Sequence, residues 1–489
     1  MSTLLAVVLG YLLVTLAIGY AAYRRTAGTA EDYFLGGRKT RTFVLFMALF
    51  GTNVTPFLLL GIPGVAYHAG VGEFGRNAAI IALGIPLSFY LIGYPAYLAA
   101  RRIGAITPAE LYRERFASPA VGVVMFIAYF VYTLPYMVTA VLGVGITMSV
   151  LTAGAVSQAV GAALILLITI GYTALGGMRA TMWTNVFQGT VFMGFLLLLF
   201  VIVAGDLGGL SAATERVRAV APALLGKGSM PEYAPGKWLS WGLGISLTVV
   251  AFPHIFVRLL AARDSAALKN VCRVYPLVLL VAWLPAVMFG VWAAVEFPGL
   301  VGKASDRVFP LLVERHTGEL LQGVALAGVM AAVMSTLDAQ ALTLSSMLTR
   351  DVLRPLVRVG ERGEVALGRL FIVVLAVIVY CVVLREPASI FDIAEFSFSG
   401  YVTLVPALYL GLRWRRCTAA GAIASIVAGN AALLLARLDV LPALGLLPVA
   451  HGLVAAIVFG VGVSLVTPPT PKAVADRVLA PIEAVFGRE

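Results

Sequence analysis

Within an apolar stretch rich in Ala, Leu and Val, the sequence places Ser335, Thr336, Asp338 and Gln340, then Ser345-Ser346. Ser335 and Asp338 are three residues apart, so on a helix they share a face and can converge on one ion. A carboxylate in the middle of a membrane span costs roughly 2.5–3.5 kcal/mol, which makes Asp338 a candidate for work with a cation or a proton. A second stretch, Gly51-Thr52-Asn53-Val54-Thr55-Pro56, runs on to Gly61-Ile62-Pro63-Gly64. Pro56 lacks a backbone donor and disfavours helical geometry at Thr55, so carbonyls there are freed. Carbonyl and hydroxyl oxygens are hard ligands suited to a small cation. Two plainer readings stand beside this one. Pro56 can mark a kink absorbed by packing, and the hydroxyls can bond their own helix or pack helix on helix.

Unwound backbone at membrane depth is tolerated only where it is buried in protein or lines a cavity, so the elements around these residues decide the matter. Hydrophobic residues make up 61% of the 489 and charged residues 12%, with a mean hydropathy of +0.97. Soluble domains carry about 25% charged residues, so the composition excludes a soluble enzyme, a nucleic-acid binder and a disordered scaffold. Cys272, Cys381 and Cys417 are too scattered for a disulfide framework or a metal cage, and the four histidines show no zinc spacing.

A bilayer core about 30 Å thick needs roughly 20 apolar residues. Thirteen such runs are predicted, at 3–23, 42–68, 77–99, 120–150, 155–175, 182–204, 239–262, 274–296, 320–349, 367–384, 388–411, 418–436 and 448–467; they are numbered spans 1 to 13. The runs are continuously apolar rather than alternating, which excludes a β-barrel. The first has no basic residue before it and Arg24-Arg25 after it, the reverse of a cleavable signal, so it reads as a retained span with the N-terminus outside. The inner loops then hold 25 of the 35 basic residues, as the positive-inside rule requires, and the C-terminus falls in the cytoplasm. No P-loop pattern occurs, so ATP hydrolysis is not expected.

A second break is predicted in span 7, at Gly242-Leu243-Gly244-Ile245-Ser246-Leu247-Thr248, ending in Pro253-His254. Spans 2 and 7 are five apart, and broken helices at matching positions of two halves point to a secondary transporter built on an inverted repeat. The expected organisation is an all-α polytopic membrane protein. Residues 1–40 form a peripheral span and inner loop, 41–205 the first repeat, 206–238 an outer loop, 239–416 the second repeat, and 417–489 two peripheral spans and a tail.

With Tyr33-Phe34-Leu35-Gly36-Gly37-Arg38, Gly61-Ile62-Pro63-Gly64, Gly176-Gly177-Met178-Arg179-Ala180, Trp183-Thr184, Gln188, Pro253-His254 with Arg258, the 332–346 stretch and Asp351 in this order, the chain resembles the sodium:solute symporter family. That family includes sodium-coupled transporters of proline, pantothenate, sugars, sialic acid and monocarboxylates. The resemblance implies a five-plus-five inverted repeat and sodium-coupled symport of a small organic solute by alternating access in the plasma membrane. It also implies a sodium site formed by the carbonyls of Gly51, Val54 and Ala332 and the hydroxyls of Ser335 and Thr336. Many relatives have an Asp where this chain has Asn185, and hydroxyl residues on span 9 where it has Asp338. The expectation is that Asp338, with Asn185 and Ser335, serves a second cation; the alternative is that Asp338 pairs with an Arg or a backbone donor. Arg258 is expected to anchor the inner end of span 7 or to pair with an inner-gate acid.

By the same resemblance the solute lies between spans 2, 7 and 11, lined by Asn53, Thr55, Phe57, Ile245, Ser246, Val249, Phe252, Glu395, Phe396, Phe398 and Ser399. Three of these positions differ from the proline carriers, and the set is more apolar than in the sugar carriers. The lean is to an organic acid or amino-acid-like solute, because helix N-termini in unwound segments favour a carboxylate. A proton-coupled or uncoupled carrier, a sugar or polyol symporter and a membrane sensor are the rivals.

Overall fold

The computed structural model describes residues 2–25, 29–38, 40–53, 57–226, 231–354, 360–385 and 388–487. Among them the regular structure is helical, with one isolated bridge between Thr40 and Ala262. Ten helices are long and apolar enough to cross a bilayer, and two further bent pairs qualify together. The pairs are Thr42–Asn53 with Phe57–Ala69, bent by 49°, and Pro235–Ala251 with Pro253–Leu260, bent by 53°. These are spans 2 and 7. Val54, Thr55 and Pro56 lie outside the described residues.

One of the ten helices, Gln158–Asp206, has 49 residues. Straight, it would measure about 73 Å at 1.5 Å per residue, more than twice the bilayer core. It is interrupted at Gly177 (φ 56°, ψ −152°), a conformation essentially reserved for glycine. A Cβ there would also sit 2.5 Å from the Tyr33 carbonyl oxygen. The chain reverses at this point. Tyr172 and Asn185, which a straight helix would hold about 20 Å apart, both lie beside Asp338. Spans 5 and 6 are therefore the two arms of one hairpin, and with Gln158–Asp206 counted as two the candidate crossings among the described residues come to thirteen.

Span 7 departs from expectation in detail. Gly242 to Thr248 is regular helix, and the break is confined to Phe252 (φ −60°, ψ 121°) ahead of Pro253. Proline forces the preceding residue out of helical geometry, whereas glycine in a helix costs only about 1 kcal/mol. Here Gly242 allows close packing: a Cβ on it would meet Ile80 Cδ1 at 2.5 Å.

Leu13, Leu83, Leu167, Leu277 and Val377 are all more than half exposed. In a chain this poor in charge they form the lipid-facing surface, while span 9 (Glu319–Leu353) is among the most enclosed elements. All its residues from Ala325 to Met347 are buried.

The tail after Thr467 is not extended. Lys472–Phe486 is a helix laid across the arginine-rich end, with the Phe486 ring against Tyr90 and Tyr94. Arg415 holds it through Asp476 (2.7 Å) and Glu483 (2.6 Å).

Candidate cation and solute site

Span 2 ends its first segment at Asn53, and the carbonyls of its last turn face span 9. The Ser335 hydroxyl lies 2.7 Å from the Gly51 carbonyl oxygen and 2.9 Å from that of Ala332. The Thr336 hydroxyl lies 3.1 Å from the same Ala332 oxygen and 3.3 Å from that of Thr52. Four of the five expected sodium ligands thus converge; the fifth, Val54, is outside the described residues. A hard cation ligated at about 2.4 Å keeps adjacent oxygens roughly 3.4 Å apart; the hydrogen-bonded oxygens here stand 2.7–3.3 Å apart, so a cation would spread them by a few tenths of an ångström. The hydroxyl protons turn towards the carbonyls here and can rotate away from a cation without breaking any helical hydrogen bond. The residues fit sodium, and the Thr52 carbonyl is an added candidate ligand that the sequence did not single out.

One turn further along span 9, Asp338 is fully buried. Its Oδ2 accepts a 2.9 Å hydrogen bond from the Tyr172 hydroxyl, and its Oδ1 lies 3.6 Å from Arg258 Nη2, both side chains having no exposure. Arg258 Nη1 donates to the Ala48 carbonyl oxygen on span 2. Arg258 is thus buried and bridges spans 2, 7 and 9. Asn185 lies beside Asp338, with neither side-chain polar atom hydrogen-bonded. Gln188, one turn on, is buried and likewise unbonded.

Asn53 and Phe57 of span 2 and the turn at Phe252 of span 7 border a small cavity of about 30 Å³, room for a water or two. Of the expected lining, Asn53, Phe57, Ile245, Val249, Phe252 and Phe398 face it, joined by Ile81, Ile85, Tyr136, Thr248, Leu279 and Trp283, among others. Phe398 packs edge-on against Phe57 and Tyr136, both at 5.1 Å between ring centres. Thr55 is outside the described residues. The other expected residues do not line the cavity. Ser246 bonds its own helix at Gly242 (2.7 Å) and packs on Gly84, and Ser399 is buried elsewhere. Glu395 pairs with Arg437 at 3.4 Å, and Phe396 lies against Tyr132 and under Arg437. Both belong to the flank facing spans 4 and 12. Residues two apart on a helix point about 200° apart, so Phe398 inward puts Phe396 outward. Trp283, from span 8, lay in the sequence two residues before Pro285, an unused signal of irregular helix at mid-membrane.

Comparison with known proteins bears on the family and the fold. The chain is 27% identical over 479 residues to the osmoregulated proline transporter OpuE of Bacillus subtilis, covering 95% of this chain and 94% of that one. It is 28% identical over 438 residues to the sodium/pantothenate symporter of Escherichia coli, covering 86% and 87%. Its fold matches a solved Na+-coupled sialic acid symporter with a TM-score of 0.81 at 18% identity, covering 96% of this chain and 99% of that one. The model of the sodium:solute symporter family matches residues 33–429, most of the polypeptide, and the chain belongs to that family.

Proposed function

We propose that the protein couples the inward movement of a small, partly apolar organic acid or amino-acid-like solute to sodium. The sodium is held between spans 2 and 9 by the carbonyls of Gly51, Val54 and Ala332 and the hydroxyls of Ser335 and Thr336. The observation that carries this is the convergence of the Ser335 and Thr336 hydroxyls on the Gly51, Thr52 and Ala332 carbonyls.

Among the described residues, no charged side chain lines the central cavity, and the lining side chains able to hydrogen-bond are Asn53, Tyr136, Thr248 and the indole of Trp283. The Thr248 hydroxyl is already bonded to the Phe398 carbonyl. A sugar or polyol would bury more hydroxyls than these can satisfy, each unpaired one costing about 1–3 kcal/mol. A solute with an apolar body and a carboxylate directed at the N-terminus of the second segment of span 2, Phe57–Ala69, suits the site better. Entry requires the rings of Phe57, Trp283 and Phe398 to part, since 30 Å³ holds no organic solute. In the orientation set by the basic loops, with the N-terminus outside and the helix bundle rocking to alternate access, each sodium entering gains about 2.3 kcal/mol per 100 mV.

The test compares the melting temperature of the purified protein in sodium and in choline chloride at equal ionic strength, with Ser335→Ala alongside. A sodium-specific rise in the wild type that Ser335→Ala abolishes is the expected result. No rise in the wild type overturns the sodium site and turns attention to proton coupling.

A further inference from the structure

Asp338 stands one helical turn from the Ser335 hydroxyl, buried from solvent, with the Asn185 side chain beside it. A lone carboxylate in that setting would attract a second monovalent cation. The structure supplies a cation of its own. Arg258 Nη2 lies 3.6 Å from Asp338 Oδ1, and its other terminal nitrogen is tied to the Ala48 carbonyl, one turn before Gly51 on span 2. His254, one turn earlier on the helix of Arg258, is buried with no hydrogen bond to either ring nitrogen.

We infer that the Arg258 guanidinium is a tethered counter-cation that takes the place a second transported ion would need at Asp338, and that it thereby fixes the load at one sodium per cycle. This rests on the sodium reading above. A mobile cation sharing the carboxylate would sit about 5 Å from the guanidinium. Repulsion between unit charges at that distance in a protein interior weakens its binding by a factor of a few hundred. The first site carries no such penalty: its ligands are neutral, and the charge closest to it along span 9, Asp338, is already balanced. The pairing also explains how the chain holds a mid-membrane acid without an ion. The carboxylate has two partners, Tyr172 and Arg258, and the arginine reaches it from a different helix.

The experiment counts bound sodium. Purified protein in detergent, without solute, is titrated with radioactive 22Na+ to saturation by equilibrium dialysis, for the wild type, Arg258→Gln, and the neutral pair Arg258→Gln/Asp338→Asn. The expected counts are one, two and one sodium per chain, with the second site of Arg258→Gln absent from the double variant. Two sodium ions on the wild type would overturn the inference while leaving the sodium reading intact. No sodium on the wild type would overturn both. A count of one for folded Arg258→Gln would also overturn it, by showing that the arginine excludes nothing. Should Arg258→Gln alone prove too unstable to purify, the wild-type and double-variant counts decide: the inference requires one from each, and a fall from two to one refutes it.

Discussion

Asp338→Asn strands the Arg258 guanidinium in a fully buried position with the Ala48 carbonyl as its remaining bonded partner. At 3.6 Å and an effective dielectric constant near 20, the lost attraction is about 4–5 kcal/mol. That agrees with the 3–5 kcal/mol typical of breaking a buried pair from one side. Arg258→Gln strands the carboxylate instead, but Tyr172 still donates to it, so its cost should be smaller, about 3 kcal/mol. The double variant leaves no stranded charge and should cost only about 1–2 kcal/mol, less than either single change. The assay is equilibrium unfolding in mixed detergent micelles, in sodium-free buffer so that ion binding does not enter. The expected coupling between the two sites is several kcal/mol, far above the 0.3–0.5 kcal/mol within which independent sites add. Additive costs would show that the 3.6 Å pair is not energetically joined, and the tethered-cation inference would fall with it.

Three further outcomes follow from other parts of the molecule. Gly177→Ala forces a Cβ to within 2.5 Å of the Tyr33 carbonyl at φ 56°, so the same unfolding assay should show a loss of about 3 kcal/mol or more; an unchanged midpoint would mean the hairpin does not depend on this residue. Asp306, in the loop between spans 8 and 9, caps span 11 by accepting from the Ile390 N–H (3.0 Å), and burial pushes its carboxyl up from 3.8 to about 7. Between those values the folded protein holds a proton that the unfolded chain has released, so stability falls as pH rises through that window and levels off above it. The melting-temperature difference between wild type and Asp306→Asn should therefore change between pH 4 and 7 and be constant from pH 8 upward; a difference that is flat throughout refutes this. Arg415→Ala removes the contacts to Asp476 and Glu483, and should speed hydrogen exchange in 472–486 severalfold with little change in global unfolding, since partly exposed ion pairs contribute about 1 kcal/mol or less.

What could be read from the sequence was what the bilayer dictates locally. The crossings follow from the length of apolar runs, and the break at Pro253 follows from a missing donor; neither requires knowledge of neighbours. Gly242 to Thr248 misled because glycine has two uses: it can unwind a helix, and it can let another helix close in, here through Ile80. The rotation of span 11 could not be fixed either. Glu395, Phe396 and Phe398 are adjacent in sequence, and only the packing of Phe398 against Phe57 and Tyr136 decides which of them faces the cavity. The Arg258–Asp338 pair joins residues 80 positions apart, and no local pattern announces it. No local pattern announces the docking of the helix Lys472–Phe486 either, because its anchor, Arg415, lies two spans earlier in the chain.

On the proposed sodium reading, the position of the cation ligands explains how an ion acts on the solute without touching it. Gly51 is two residues before Asn53 and six before Phe57, both of which face the central cavity. Without a cation, hydroxyl protons hold the last turn of the first segment of span 2 to span 9 through neutral hydrogen bonds, each contributing about 0.5–1.5 kcal/mol. A cation replaces these with ion–dipole contacts to the same carbonyls, which are stronger because one partner is charged. The first segment of span 2, which carries Asn53 at its end, is then held more firmly against span 9, and less ordering is left for the solute to impose. Linkage makes the effect mutual: if sodium raises solute affinity tenfold, the solute raises sodium affinity tenfold, a coupling of about 1.4 kcal/mol. Ser335→Ala should therefore weaken solute binding even though Ser335 does not line the cavity, whereas Phe57→Ala should weaken the solute directly and sodium only through the shared coupling. Titrating each ligand with and without the other separates the two cases, and equal sodium affinity with and without solute in the wild type would show that no such coupling exists.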